Sequence, residues 1–205
     1  MPFRSRRIGA GLLVCAALVP LQAATVSRQN ADAFAQKIVQ IQQQGSQALS
    51  GDRRSTAQRR TAVTEDELNS WFAYRAQPVL PAGVTQPQIT IVGEGKVAGQ
   101  ATVDLEAIGK RRSTGGTFDP WSYLGGRVPV TINGILHTQN GRGRFEVQNA
   151  EVSGVSVPTN LLQELVSYYS RTPDNPGGIS LDEAFELPAN IDKIEVGQGQ
   201  AVVIQ

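Results

Sequence analysis

The chain has 205 residues, of which 40% are hydrophobic, 18% charged and 6% aromatic, enough for one ordinary core and too little for two. Its 21 Gly and 11 Pro fall short of a collagen or low-complexity composition, and a net charge of +1 with that apolar fraction excludes a disordered chain. One Cys excludes an internal disulfide framework, and with a single His beside it too few ligands remain for a structural zinc site; neither a metal nor a cofactor is expected.

Arg4, Arg6 and Arg7 precede an almost wholly apolar stretch from Ile8 to Leu21, followed by Gln22, Ala23 and Ala24. This is the pattern of a secretory signal peptide over residues 1–24, cleaved after Ala23 or Ala24. The apolar run is short for a membrane span, which wants roughly 20 residues. A lipoprotein site at Cys15 would want a small residue where Val14 stands. Removal of the segment leaves 16 basic against 18 acidic residues and no thiol. So neutral a surface lacks the clustered Lys and Arg that displace counterions from nucleic acid, and no nucleic-acid partner is expected. The expected address is outside the cytoplasm, in a bacterial periplasm.

Residues 25–60 form the next unit. Phe34, Ile38 and Ile41 recur at spacings of four and three among Gln-rich polar positions, which predicts an amphipathic helix from Asn30 to about Gln47. Gly51 to Arg60 is polar, carries Arg53, Arg54, Arg59 and Arg60 without aromatic neighbours, and reads as a solvated connection.

Residues 61–205 read as an antiparallel sheet with helices. Thr64 and Glu67 make a capping box, with Glu65 and Asp66 opposing the helix dipole, so a helix is expected over 65–76. Leu68, Trp71, Phe72 and Arg75 share one of its faces. After Pro87 the period becomes two. Ile89 and Ile91, then Val97, Gly99, Ala101, Val103 and Leu105, form a hairpin through Gly93-Glu94-Gly95-Lys96. A third strand carries Val128, Val130, Ile132 and Leu136 in phase, and Asn140-Gly141 turns it into a fourth. There Phe145 and Val147 are odd but Ala150 and Val152 even, a slip that places a bulge near Gln148-Asn149. Pro158 opens a helix whose apolar face holds Leu161, Leu162, Leu165, Val166 and Tyr169. Ser180 to Glu183 predicts a brief capped helix ended by Pro188, and two strands, at Ile194 and Val196 and at Val202 and Ile204, finish the chain.

The chemistry of catalysis is thin. His137 is the single imidazole, no serine sits in a GxSxG turn, and no glycine-rich loop carries a phosphate-cradling lysine. Asp182, Glu183 and Glu186 read as helix-cap carboxylates rather than as a paired acid and base. No catalytic residue is nominated and no enzymatic activity is expected. The segment 113–126 concentrates Phe118, Trp121, Tyr123 and Leu124 just after Lys110, Arg111 and Arg112. It reads either as a flap closing one end of the core or as a lip touching membrane or partner.

Three short passages carry a resemblance: Thr64-Glu65 to Asn69 at a helix start, Gly154 to Leu162 leading into a helix, and Leu187 to Val196 near the end. Together with the order of the elements they resemble bacterial TULIP-like lipid-binding proteins, the LmeA-like group included. That resemblance implies a strongly bent antiparallel sheet wrapped along a helix and enclosing an apolar groove for acyl chains. The fold class expected is therefore α+β, a curved antiparallel sheet of about six strands on amphipathic helices. The one-faced strands and the resemblance together nominate Leu68, Trp71, Phe72, Val103, Leu105, Ile132, Phe145, Leu162, Val166 and Tyr169 as groove lining. The function expected is an exported lipid-binding or lipid-transfer protein with a phospholipid-like partner and transient contact with a membrane surface. The alternative is a cell-envelope adaptor with a closed core that binds a protein through loop 113–126.

Overall fold

A computed structural model describes residues 26–49, 58–81, 83–104, 126–170, 176–178 and 180–205. Helix α1 (Arg28–Leu49) begins two residues before the expected start because Ser27 caps it: the Ser27 Oγ accepts from the Asn30 N–H at 3.1 Å. Strand β1 (Arg60–Thr64), for which no strand was expected, begins on the last residue of the predicted connection. Its Thr61 and Val63 are buried, and it pairs antiparallel with β9 from Arg60 opposite Ile204 to Thr64 opposite Gln200. Helix α2 (Glu65–Tyr74) follows without a linker. Thr64 ends the strand and caps the helix at once, its Oγ1 accepting from the Glu67 N–H at 3.2 Å while Glu67 Oε2 accepts from the Thr64 N–H at 3.0 Å.

The large sheet is antiparallel, open and six-stranded. It runs β2 (Val84–Gly93), β3 (Lys96–Asp104), β4 (Arg127–Gln139), β5 (Arg142–Val152), β6 (Val155–Ser156), with β7 (Phe185–Glu186) also on β5. The two tight hairpins turn at Glu94-Gly95, with φ of 54° and 80°, and at Asn140-Gly141, with φ of 52° and 75°. Positive φ at both central positions suits the right-handed twist of the flanking strands. The expected bulge is there: Asn133 pairs Asn149 and Gly134 pairs Val147, so Gln148 is the extra residue. A second bulge separates Thr85 from Gln88 and accommodates Pro87 in an edge strand. Bulges of this kind bend the sheet.

The fold class is as expected, α+β with six antiparallel strands in the large sheet, but membership differs at two points. The terminal strands β8 (Lys193–Val196) and β9 (Gln200–Ile204) join β1 in a separate sheet of order β1-β9-β8. Ser180 to Glu183 is a turn, not a helix, and leads into β7. One turn of helix fixes several residues for a single hydrogen bond, whereas Phe185 and Glu186 pair directly with the edge of β5 and the Leu187 N–H reaches the Gly141 carbonyl at 2.8 Å. Helix α3 (Thr159–Ser170) follows Pro158 as the sequence predicts.

A hydrophobic core cluster lies between α1 and the small sheet, where Ile41, Ile191 and Val203 are buried with Leu187, Ala189 and Ile194 packed on them. Lys37 Nζ binds both Glu67 carboxylate oxygens and the Ala62 carbonyl at 2.7 Å, tying α1 to α2 and β1. Arg75, on the face shared with Trp71, reaches Asp32 of α1 through Nε at 2.9 Å. Among the described residues no helix is long and apolar enough to cross a membrane.

On the small sheet, hydrogen bonds from Lys193 and Arg60 hold the exposed Glu195 carboxyl below its ordinary value of 4.5. A carboxyl lowered on folding stabilises above its unfolded value, and the contribution is lost as pH falls through the folded one. The melting difference between the native chain and Glu195→Gln is therefore expected to shrink as pH drops below 4.5. A gap that stays constant through thermal melts down to about pH 3, below the unfolded carboxylate range, would contradict this.

Candidate functional site

Cross-strand partners stand on the same side of a sheet, so the register alone sorts the large sheet into two faces. One row reads Ile91, Val97, Gly134, Val147, the next Ile89, Gly99, Ile132, Ala150, and the next Ala101, Val130, Val152. Val84, Val103 and Val128 add a row at one end, and Leu136 with Phe145 one at the other. The opposite face reads Gln88, Gln100, Thr131, Glu151 and then Thr90, Ala98, Asn133, Asn149. One side of four long strands is thus aliphatic and the other mostly polar.

Little of the aliphatic side is sealed. Ile91, Gly134 and Ala150 are buried, but Val97, Ala101, Val103, Val128, Val130, Ile132, Leu136, Phe145, Val147 and Val152 are only half-buried. Helix packing falls mainly on the outer strands, α2 on β2 and α3 beside β5. The free edge of β2 is closed by side chains. The Asn69 carboxamide donates to the Ile89 carbonyl and accepts from its N–H, both at 2.8 Å. The Ile91 N–H donates to Glu65 Oε2 at 2.7 Å, and its carbonyl accepts from the Gly199 N–H at 2.8 Å. Asn69 is buried, so Asn69→Ala strands both Ile89 groups and is expected to cost about 2 kcal/mol in denaturant unfolding. A loss under about 0.5 kcal/mol would show water replacing the carboxamide freely.

Val103, Ile132 and Phe145 stand on the aliphatic face, and Leu162 is buried on α3 with Val166 half-buried on the same helix. Leu68, Trp71 and Phe72 are half-buried on α2. Trp71 packs edge-on to Phe34 of α1 with ring centres 5.9 Å apart, and to Phe72 at 5.6 Å. Leu105, Phe118, Trp121, Tyr123, Leu124 and the side chain of Tyr169 lie outside the described residues, as do residues 1–24, where a signal peptide is expected. The neighbours Val130, Val147 and Val152 were readable from the alternation that marked Ile132 and Phe145, yet were not nominated. Two strand glycines serve the chain's own rings rather than a ligand. A Cβ on Gly134 would stand 2.6 Å from the Phe145 ring, and one on Gly143 2.6 Å from the Phe185 ring.

At the turn end of the sheet a cleft of about 600 Å³ opens between the β4–β5 hairpin and β8. Leu136, Thr138, Arg142, Arg144, Ile194 and Glu195 are among its walls. Thr138 Oγ1 holds β8 there, accepting from the Ile194 N–H at 2.8 Å and donating to its carbonyl at 2.9 Å. His137 Nε2 and Arg144 Nη2 lie 3.2 and 3.4 Å from Glu146 Oε2. Asp182 and Glu183 are exposed in their turn.

No protein-family model and no curated protein matches the chain. A crystal structure of a lipopolysaccharide binding protein matches at 18% identity and a TM-score of 0.21, covering 71% of this chain. The match takes in 40% of that structure's chain, so this chain spans well under half its length.

Proposed function

We propose that the chain is an exported, non-enzymatic lipid-binding or lipid-transfer protein of TULIP-like design that holds acyl chains on the aliphatic face of its large sheet. The observation that carries the reading is that face itself, built from four adjacent strands and only partly buried at most of its side chains. Leaving so much aliphatic surface in water is unfavourable by about 25 cal/mol per Å², and an acyl chain laid on it gains roughly 0.8 kcal/mol per methylene covered. Length suffices. The 13 residues of β4 extend about 43 Å at roughly 3.3 Å each, against about 15 Å for half of a 30 Å hydrocarbon core.

Export rests on the Arg-led apolar segment at the start of the sequence. The test is to purify the processed chain and identify lipids in an organic extract by mass spectrometry. A stoichiometric acyl lipid supports the proposal, whereas an empty protein that also refuses a fluorescent acyl probe ends it and leaves the envelope adaptor. The proposal gives Phe118, Trp121, Tyr123 and Leu124 the membrane contact. Trp121→Ala is then expected to weaken association with liposomes at an unchanged melting temperature; a large melting loss with association intact would make the residue a core plug.

A further inference from the structure

We infer that the end of the large sheet at Val84 rests on an anionic lipid surface, with Val79 and Tyr74 entering the interface and Arg28 meeting head-group phosphates; the inference deepens the proposed membrane contact and rests on it. Helix α2 runs along the outer edge of β2, Glu65 beside Ile91 and Asn69 beside Ile89, so it points toward the start of that strand. Its last turn and the residues after it therefore stand beside the row of Val84, Val103 and Val128, where the Val84 N–H donates to the Pro81 carbonyl at 3.1 Å. Between them the chain turns tightly. The N–H groups of Val79 and Leu80 both donate to the Ala76 carbonyl, at 2.9 and 3.0 Å, and Ala76 is fully buried. Anchored at its base, the turn holds Val79 out in water, 68% exposed between Pro78 and Pro81. Tyr74 is 47% exposed, and the Arg28 guanidinium lies 5.4 Å from the centre of its ring. The nearby carboxylate, Asp32, is held by Arg75 rather than by Arg28. A cation on an amphipathic ring beside an exposed aliphatic side chain has the composition of a membrane interface.

The occupant follows from what else leaves this end. Asp104 and Arg127 close the β3–β4 pair here, the Asp104 N–H donating to the Gly83 carbonyl at 2.7 Å. Residues 105–125 thus depart and return beside the turn, and their sequence carries Lys110, Arg111, Arg112 and Trp121. Cations and aromatic residues supplied by separate stretches suit an extended anionic surface. The aliphatic rows begin at the same end, so a lipid leaving that surface meets Val84, Val103 and Val128 first.

Sedimentation of the processed chain with vesicles of phosphatidylglycerol and of phosphatidylcholine tests this. Val79→Asp is expected to weaken partition onto phosphatidylglycerol by about tenfold, through the lost aliphatic contact and a charge of the wrong sign. Arg28→Gln is expected to cost about fivefold on phosphatidylglycerol and little on phosphatidylcholine. Val92→Asp is the control: Val92 is 51% exposed at the far end of β2, and its variant is expected to stay within about twofold of the parent. Equal losses in Val79→Asp and Val92→Asp, or none in Val79→Asp while Trp121→Ala still weakens association, would overturn the docking end and leave the membrane contact standing. Equal partition of the parent onto both lipids would overturn the anionic choice, and a parent that binds neither vesicle would overturn inference and membrane contact together. Affinity for a fluorescent acyl probe in solution is expected to be unchanged in Val79→Asp; its loss would make the turn part of the acyl site instead of a foot on the bilayer.

Discussion

Ile132→Asp is expected to lower affinity for a fluorescent acyl probe by a hundredfold or more. Ile132 sits mid-sheet, flanked on its own face by Gly99 of β3 and Ala150 of β5, two residues too small to shield a charge. An acyl chain crossing that point would strip water from the new carboxylate with no cation in its row, and an unpaired buried charge is among the most expensive groups a site can hold. The neighbour Thr131 points to the polar face, in the row with Gln100 and Glu151. Thr131→Asp is thus a control of equal charge on the same strand, expected to leave the probe affinity within about twofold. Circular dichroism and thermal melting of both variants separate a lost site from a lost fold. Equal affinity in the two would place the ligand, if any, off this face.

Gly45→Ala is expected to destabilise the fold strongly. At an exposed helix position that change gains about 1 kcal/mol. Here its Cβ would stand 2.2 Å from the Ala189 carbonyl oxygen and 2.5 Å from the carbonyl carbon, both backbone atoms that no rotamer change can remove. The helix must back away, losing the 2.8 Å bond from Asn190 Nδ2 to the Gly45 carbonyl and loosening Ile41 from Ile191. We expect a loss of about 3 kcal/mol, or roughly 10 °C in melting temperature for a chain of this size. A variant that melts higher than the parent would show that α1 is not docked through this glycine.

How much of this could be read from the residues alone follows the range of the forces. The capping box at Thr64, the Asn140-Gly141 turn and the extra residue at Gln148 are set within a few positions of the chain, and each stands where the sequence puts it. Strand β1 was not legible. Five residues give only two inward positions, Thr61 and Val63, and its partner lies some 140 residues further on. Ser180 to Glu183 misled for the converse reason: its local helix signal is real, but pairing of Phe185 with Gly143, distant in sequence, decides the outcome. The face of the site was visible as alternation in β3 and β4, whereas the cleft at its turn end was not, because its walls come together only when Thr138 holds Ile194 of β8 against β4. Trp71 likewise gave its size and helical face but not its neighbour, Phe34 on another helix.

Thr64 is at once the final residue of one strand and the cap of the helix after it. With no spare residue there is no torsional slack between them, and the same helix, through Asn69 and Glu65, grips the outer strand of the other sheet. The two sheets are thereby riveted along one margin. Any breathing that widens the molecule for a greasy guest has to come from the far margin, where β6 and β7 hold only two residues each.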